Sequence, residues 1–361
     1  MISRDDAQLI DALQIAPRAP WAAVGEHLGI SPVTAAKRWQ RLTEDGVAWV
    51  TVAPGMAPHR PQCFAYVEIT CHPRMRLAVA ETIARHTLAV TVEVVTGSAD
   101  ILVTACAADL PTLSSYVLDH LSAVDGVIST RLRIATRLYR EGSAWRLHVL
   151  NENTAAALER HRSEAPSEGE RPAPAGSMPG VAKAIIAELA ADGRTSYAEL
   201  AERVDTSPTT ARRWVSELLG SGILILRTDV SAQDAGWPVQ AYVWANAPIS
   251  TLRDTAGQLS QMRQARLTAT VASGPVIALS TWLRTVEELH RLELTIAEQL
   301  PQLQVVDRLI VLRVVKRVGR LISGGGRSTG VVPINIWDDL ASGPPPFPAS
   351  PAGPASSPPG G

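Results

Sequence analysis

The Ser-Pro pair at Ser31-Pro32 returns at Ser207-Pro208, an offset of 207 − 31 = 176 residues. Its surroundings return with it: the same offset pairs Thr34 with Thr210, Ala35 with Ala211, Leu42 with Leu218 and Gly46 with Gly222. Upstream it pairs Leu9, Ile10 and Leu13 with Ile185, Ile186 and Leu189, and Leu28 with Val204; downstream it pairs Tyr66 with Tyr242. Apolar positions and turn residues coincide while exposed positions differ, which is the pattern of a duplicated and diverged fold. Whatever the first half of this chain builds, the second half builds again.

Between the copies runs "ERHRSEAPSEGERPAPAGSMPG", residues 159–180, rich in Pro, Gly, Ser and charge with almost nothing to bury. It reads as a flexible coil, and residues 141–180 are assigned to the linker. A Pro/Gly-rich tail that includes "SGPPPFPASPAGPASSPPGG" is expected to be disordered over 321–361. Within it "VVPINIWDDL" is either a docking segment or packing for its own domain. The rest has ample material for cores, since 46% of the 361 residues are hydrophobic. With 34 Lys+Arg against 35 Asp+Glu, an anionic partner has to be met by local clusters and not by a global field. Cys63, Cys71 and Cys106 form no CxxC spacing, so buried thiols are expected, with no metal site and no cofactor. The start "MISRDDAQLI" has no signal-peptide core and no apolar run has membrane length, so the expected location is cytoplasmic and nucleoid-associated.

Each copy divides in two. Helices over residues 5–15 and about 21–28 precede "GIS", where Ser31 is a good N-cap and Pro32 takes the favoured first helical position. Ala35, Trp39 and Leu42 make the inward stripe of a third helix, and "VAWVTVAP" follows as a strand or wing. Three short helices with a tight turn before the last describe a helix-turn-helix. The remainder alternates "CFAYVEIT", "MRLAVAETIARH", "LAVTVEVVTG", "DILVTACA", "DLPTLSSYVLDHLSAV" and "GVISTRLRIATRLY". That βαββαβ order is the ferredoxin-like plan. The expected class is α+β, with helix-turn-helix domains over 1–59 and 181–233 and βαββαβ domains over 60–140 and 234–320.

A third helix entering a major groove would present Ser31, Val33, Thr34, Lys37, Arg38 and Arg41 in the first copy, and Ser207, Thr209, Thr210, Arg212 and Arg213 in the second. Arg and Lys neutralise phosphates or reach guanine edges, and the helix N-terminus adds its amides. The copies are uneven: Trp214 stands at the place of Arg38 and Glu217 at that of Arg41, so the second head reads a different half-site or binds more weakly. Trp39 is assigned to the core and Trp214 to the surface.

On "AELAERVDTSPTTARRWVSELLGSGI", "VGEHLGISPVTAAKRWQRLTEDGV" and "VTGSADILV", each half resembles the Lrp/AsnC (feast/famine) family of prokaryotic transcription regulators, over about 2–140 and 181–317. The resemblance implies double-stranded DNA as partner and a small amino-acid-like effector at the Thr-Gly-x-x-Asp turn, here Thr96 to Asp100, with Gly97, Ser98 and Asp100 as contacts. In the second copy Val276 replaces Asp100, which removes the ammonium acceptor. It further implies that the two βαββαβ domains pair as an intramolecular pseudo-dimer, with homo-oligomers beyond that. Half-sites are then expected roughly 10 bp apart or a multiple of it. Siroheme decarboxylases are similar in architecture and use His and Arg beside a tetrapyrrole. The eight histidines here are scattered and none recurs at the repeat offset, so the chain is expected not to be an enzyme. A sensor or scaffold whose heads have lost DNA is the third alternative.

Overall fold

The computed structural model describes residues 1–55, 62–162, 178–272 and 274–337. Local chemistry sets the first helices. Helix α1 (Arg4–Ile15) starts where Ser3 Oγ accepts from Asp6 N at 3.1 Å and buries Leu9, Ile10 and Leu13. Helix α2 (Trp21–Leu28) ends on Gly29 in the left-handed region at φ +67°, and α3 (Pro32–Glu44) is capped by Ser31 and buries Ala35, Trp39 and Leu42. Strand β1 (Ala48–Pro54) follows. The second copy repeats this with α7 (Gly180–Ala191), α8 (Tyr197–Arg203), α9 (Pro208–Gly220) and β6 (Leu224–Val230). The two strands pair with each other, antiparallel, with Thr51 opposite Arg227. Those two residues are themselves repeat equivalents, so the pseudo-two-fold axis passes between them.

The larger units run β2 (Cys63–Cys71), α4 (Arg76–Ala84), β3 (Ala89–Val95), β4 (Ile101–Ala107), α5 (Leu110–Ser115) continued by a π-helical turn Tyr116–Leu121, and β5 (Val127–Arg140). After α6 (Glu152–Glu159) and the second head come β7 (Val239–Asn246), α10 (Leu252–Gln261), β8 (Ala265–Val271), β9 (Ile277–Leu283), α11 (Glu287–Gln299) and β10 (Gln304–Arg317). Each last strand has 14 residues, about 46 Å of chain. Its first half pairs within its own unit (β5 on β2, β10 on β7) and its second half with the other unit (β5 on β8, β10 on β3). Eight strands thereby close in the ring β3-β4-β2-β5-β8-β9-β7-β10, which leaves no open sheet edge in either unit. Tyr66 and Tyr242 meet edge to face inside it, centroids 6.2 Å apart. The units join through strand edges, β5 on β8 and β10 on β3.

Three expectations need correction. Residues 142–162 of the expected linker fold back on the first head: Trp145, Leu147 and Leu158 are buried there. Buried Asp11 holds them, its carboxylate accepting from Arg146 Nε at 3.0 Å and from Val149 N and Leu150 N at 2.9 and 3.0 Å. The expected tail is ordered through residue 337, as β11 (Arg320–Ile322), β12 (Ser328–Val331) and the buried Ile334, Ile336 and Trp337. Its apolar side chains and the bond from Ser328 N to Gly46 O tie it to both heads, and residues 338–361 lie outside the described residues. Trp214 is half-buried at the edge of the core instead of exposed. Among the described residues no helix is long and apolar enough to cross a membrane.

Candidate nucleic-acid interface

Helices α3 and α9 start on the same device. Ser31 Oγ accepts from Thr34 N, and Ser207 Oγ from Thr210 N, each at 3.1 Å. The Ser and Thr hydroxyls also bond to one another, at 2.8 and 2.9 Å. With proline at the first helical position, the remaining free amides and the positive end of the helix dipole face outward. Burial of Ala35, Trp39 and Leu42, and of Ala211, Val215 and Leu218, decides which face is shown. Ser31, Val33, Lys37 and Arg41 are exposed, with Thr34 and Arg38 half-buried; Ser207, Thr209, Arg212 and Arg213 are exposed, with Thr210 half-buried.

The heads differ in how available their cations are. In the first, Arg38 Nη1 lies 3.0 Å from Asp5 Oδ2 and Arg41 Nη2 2.8 Å from Asp6 Oδ1, so the acids of α1 occupy both guanidinium groups. In the second, Arg212 and Arg213 form no ion pair among the described residues. Arg213 lies over the ring of Trp214 at 5.6 Å, a shelf that orients a cation. Glu217 is exposed on the same helix.

A reciprocal clasp, unseen in the sequence reading, sets the heads against each other. Arg18 donates to Gly193 O at 2.7 Å and Thr195 O at 2.9 Å; Arg194 donates to Pro17 O and, at 2.9 Å, to Ala19 O. Arg18 covers Tyr197 at 4.9 Å and Arg194 covers Trp21 at 3.9 Å. Every partner is the repeat equivalent of its counterpart, so the clasp obeys the pseudo-two-fold. Burial, with Arg18 nearby, brings Arg194 down to about 10. The identity of Arg18 and Arg194 at the repeat offset was the available signal.

The turn Thr96 to Asp100 lies at the seam between the copies. Thr96 N donates to Ile310 O at 2.9 Å and Thr96 Oγ1 accepts from Ile310 N at 3.0 Å. Gly97 has φ +92°, and a side chain on it would meet Arg308 O at 2.8 Å. Asp100 accepts from Cys71 N at 2.9 Å and pairs with Arg76 Nη2 at 2.7 Å, so both its oxygens are engaged inside the unit. Gly97 and Ser98 are exposed.

Known proteins share both parts. The family described as AsnC-type helix-turn-helix domain matches residues 2–43 and 183–218, and the family described as Lrp/AsnC ligand binding domain matches residues 64–145. An uncharacterized HTH-type transcriptional regulator of Pyrococcus furiosus is 31% identical over 134 residues, covering 36% of this chain and 89% of that protein. One from Pyrococcus horikoshii is 25% identical over 142 residues, covering 38% and 89%. The crystal structure of the siroheme decarboxylase NirDL with an iron-uroporphyrin III analogue matches 87% of this chain and 93% of its own, at a TM-score of 0.53 and 14% identity. That match overturns the expectation that this chain is not an enzyme, because an enzyme has this fold along nearly its whole length. At that identity the likeness is one of fold.

Proposed function

This chain belongs to the Lrp/AsnC family, and on that premise we propose that it is a sequence-specific DNA-binding transcriptional regulator carrying two winged helix-turn-helix heads and two ferredoxin-like units in one chain. The single observation that carries the reading is the matched pair of Ser-Pro-capped helices, each with its polar face outward, held by a symmetric clasp. A single chain then offers both half-site readers, acting on the cytoplasmic chromosome and responding to a small effector. The units are heads over 1–59 and 181–233 and βαββαβ domains over 60–140 and 234–320. Because α1 neutralises Arg38 and Arg41, the second head supplies the stronger phosphate contacts, through Arg212 and Arg213, and the first relies on Lys37, Thr34 and its helix N-terminus.

The test is binding of the full chain to DNA from its own upstream region, titrated across salt. Arg212→Ala/Arg213→Ala is expected to lower the salt slope by up to about two units, and Asp5→Asn, which frees Arg38, to raise it by about one. Loss of neither affinity nor slope in the arginine variant, or absence of specific binding by the wild type, rejects the reading. The full-length likeness to a siroheme decarboxylase favours a second reading, a tetrapyrrole-handling enzyme. It predicts a shifted visible absorption band when iron-uroporphyrin III is added to the purified chain, and an unshifted spectrum rejects it.

A further inference from the structure

Inside the barrel Arg227, Arg266 and Arg317 share a cavity with Glu93, and there the charges answer one another. Asp229 pairs with Arg227 at 2.8 Å and with Arg266 at 2.6 Å. Arg317 lies in the field of both Asp229 and Glu93, and Tyr242 hydrogen-bonds Glu93. Earlier on the same strand that balance is missing. Arg313 forms no ion pair or hydrogen bond among the described residues, and its Nε is buried without a partner. A guanidinium carries five N–H donors, and setting a buried one against protein that offers no acceptor is costly.

Arg313 lines a second pocket, of about 100 Å³, where the hairpin of β11 and β12 folds against β10. The turn of that hairpin, "SGGG" from Ser323 to Gly326, forms one wall. A Cβ on Gly324 would lie 2.6 Å from Arg313 Nη1, so glycine is what lets the guanidinium rest against the turn. Gly324 N and Gly325 N make no backbone hydrogen bond among the described residues. On β7, Gln240 Oε1 accepts from Arg317 Nη2 at 2.8 Å, which leaves the Gln240 NH2 group as the donating end. Among the described residues no Asp or Glu lines this pocket. Asp234, just outside it, is taken by Arg327, whose Nε and Nη2 meet its two oxygens at 3.0 and 3.1 Å. A guanidinium, a run of glycine amides and a side-chain NH2 around a small space without a carboxylate form a set of donors for an oxyanion.

We infer that this pocket binds a phosphate group, free or as the end of a phosphomonoester, with Arg313 as its cation and the Ser323–Gly326 turn as its amide wall. A water takes about 30 Å³ of the liquid, so the space equals roughly three waters, enough for one tetrahedral oxyanion and too little for a ring. Gln233, Leu312 and Gly324 at the rim are exposed, so an ester substituent extends into water. The first copy has no counterpart. There the repeat equivalent of Arg313, Arg137, lies over Tyr139 at 5.2 Å, and the segment that follows is held to Asp11 instead of forming a glycine hairpin. One site per chain is therefore expected, and it stands whether or not the heads read DNA.

The experiment titrates the full chain with inorganic phosphate, glycerol 3-phosphate and acetate, at ionic strength held constant with sodium chloride, following heat of binding and thermal midpoint. Phosphate is expected to bind one site at least about tenfold more tightly than acetate and to raise the midpoint by mass action. Arg313→Gln should weaken phosphate by at least about tenfold, because the charge-assisted bonds are lost. Gly324→Ala, whose methyl displaces the guanidinium, should weaken it as well and keeps the test alive if the first variant misfolds. Arg291→Gln, at an exposed arginine on α11, should bind as the wild type does. Tighter binding of glycerol 3-phosphate than of phosphate makes the ligand an ester, and the reverse makes it the free ion; both support the site. No saturable binding of phosphate by a folded wild type up to about 10 mM overturns it, as does equal binding of acetate. Wild-type affinity in cooperatively melting Arg313→Gln or Gly324→Ala, or an equal loss in Arg291→Gln, does the same. A DNA salt slope lowered by Arg313→Gln without any phosphate binding would give this arginine to the DNA backbone and also overturn the site.

Discussion

Lys316 on β10 is fully buried, its Nζ donating, among the described residues, only to His86 O at 2.8 Å, and burial pushes its ammonium down to about 7. Burial, with Lys316 and His120 nearby, likewise lowers His86 to about 4. For Lys316 the native state holds fewer protons than the unfolded chain between about pH 7 and pH 10, the ordinary lysine range. Its penalty is therefore full below pH 7 and fades as pH rises through that window. Lys316→Met is expected to raise stability by roughly 2–4 kcal/mol near pH 6 and by far less near pH 9.5. Urea unfolding at the two pH values reads this directly, and an equal gain at both would contradict the burial argument. Nothing in "LRVVKRVG" distinguishes this lysine from an exposed one. Burial comes from the packing of α4 against β10, which brings the carbonyl of His86, just after that helix, onto Lys316 Nζ.

Among the elements, the hairpin between β3 and β4 is specified by two demands. Gly97 adopts a left-handed φ, and its missing Cβ admits the backbone of β10. Gly97→Ala is expected to cost about 1–3 kcal/mol in urea unfolding, with the exposed Ser98→Ala neutral within about 0.5 kcal/mol. A loss confined to ligand response, with stability unchanged, would reverse that assignment. The glycine was legible as a turn residue, but its close approach to Arg308 was not, because the partner lies more than 200 residues away in the chain. The Ser-Pro-capped helices α3 and α9 were more transparent. Serine caps, first-position prolines and an i, i+4, i+7 apolar stripe are local signals, and local signals set where α3 and α9 begin and which face they bury.

At the level of the molecule, the two heads act as one reader only if their separation is held. The Arg18 and Arg194 clasp does this together with the β1–β6 pairing. Linking two sites in a fixed geometry raises affinity without new DNA contacts, and loosening the link removes that gain. Arg18→Ala/Arg194→Ala is expected to weaken binding to a probe with both half-sites by at least about tenfold while leaving a single half-site probe unaffected. Fluorescence anisotropy on the two probes measures the difference; equal losses on both would place the arginines in the DNA contact itself. The strapping of residues 142–162 and 320–337 across the first and second heads belongs to the same scale, since it ties reader and barrel into one body.

By itself the sequence determined the duplication, the order of helices and strands within each head and each βαββαβ unit, the caps and the inward stripes. Each of these depends on residues within one or two turns of one another or on a fixed repeat offset. Tertiary structure alone decided which strand edges meet, and so whether the units stack or close into a ring. Backbone donors and acceptors look alike on every edge, and no side-chain pattern in "ATRLYR" or "RVVKR" names its partner strand. It also decided that Asp5 and Asp6 neutralise Arg38 and Arg41, and that Asp11 gathers a segment that composition marked as a linker. The charged cavity has the same origin. Its arginines, Arg227, Arg266 and Arg317, occupy positions where the other copy has Thr51, Val90 and Glu141, and only closure of the barrel brings them to one cavity, away from water.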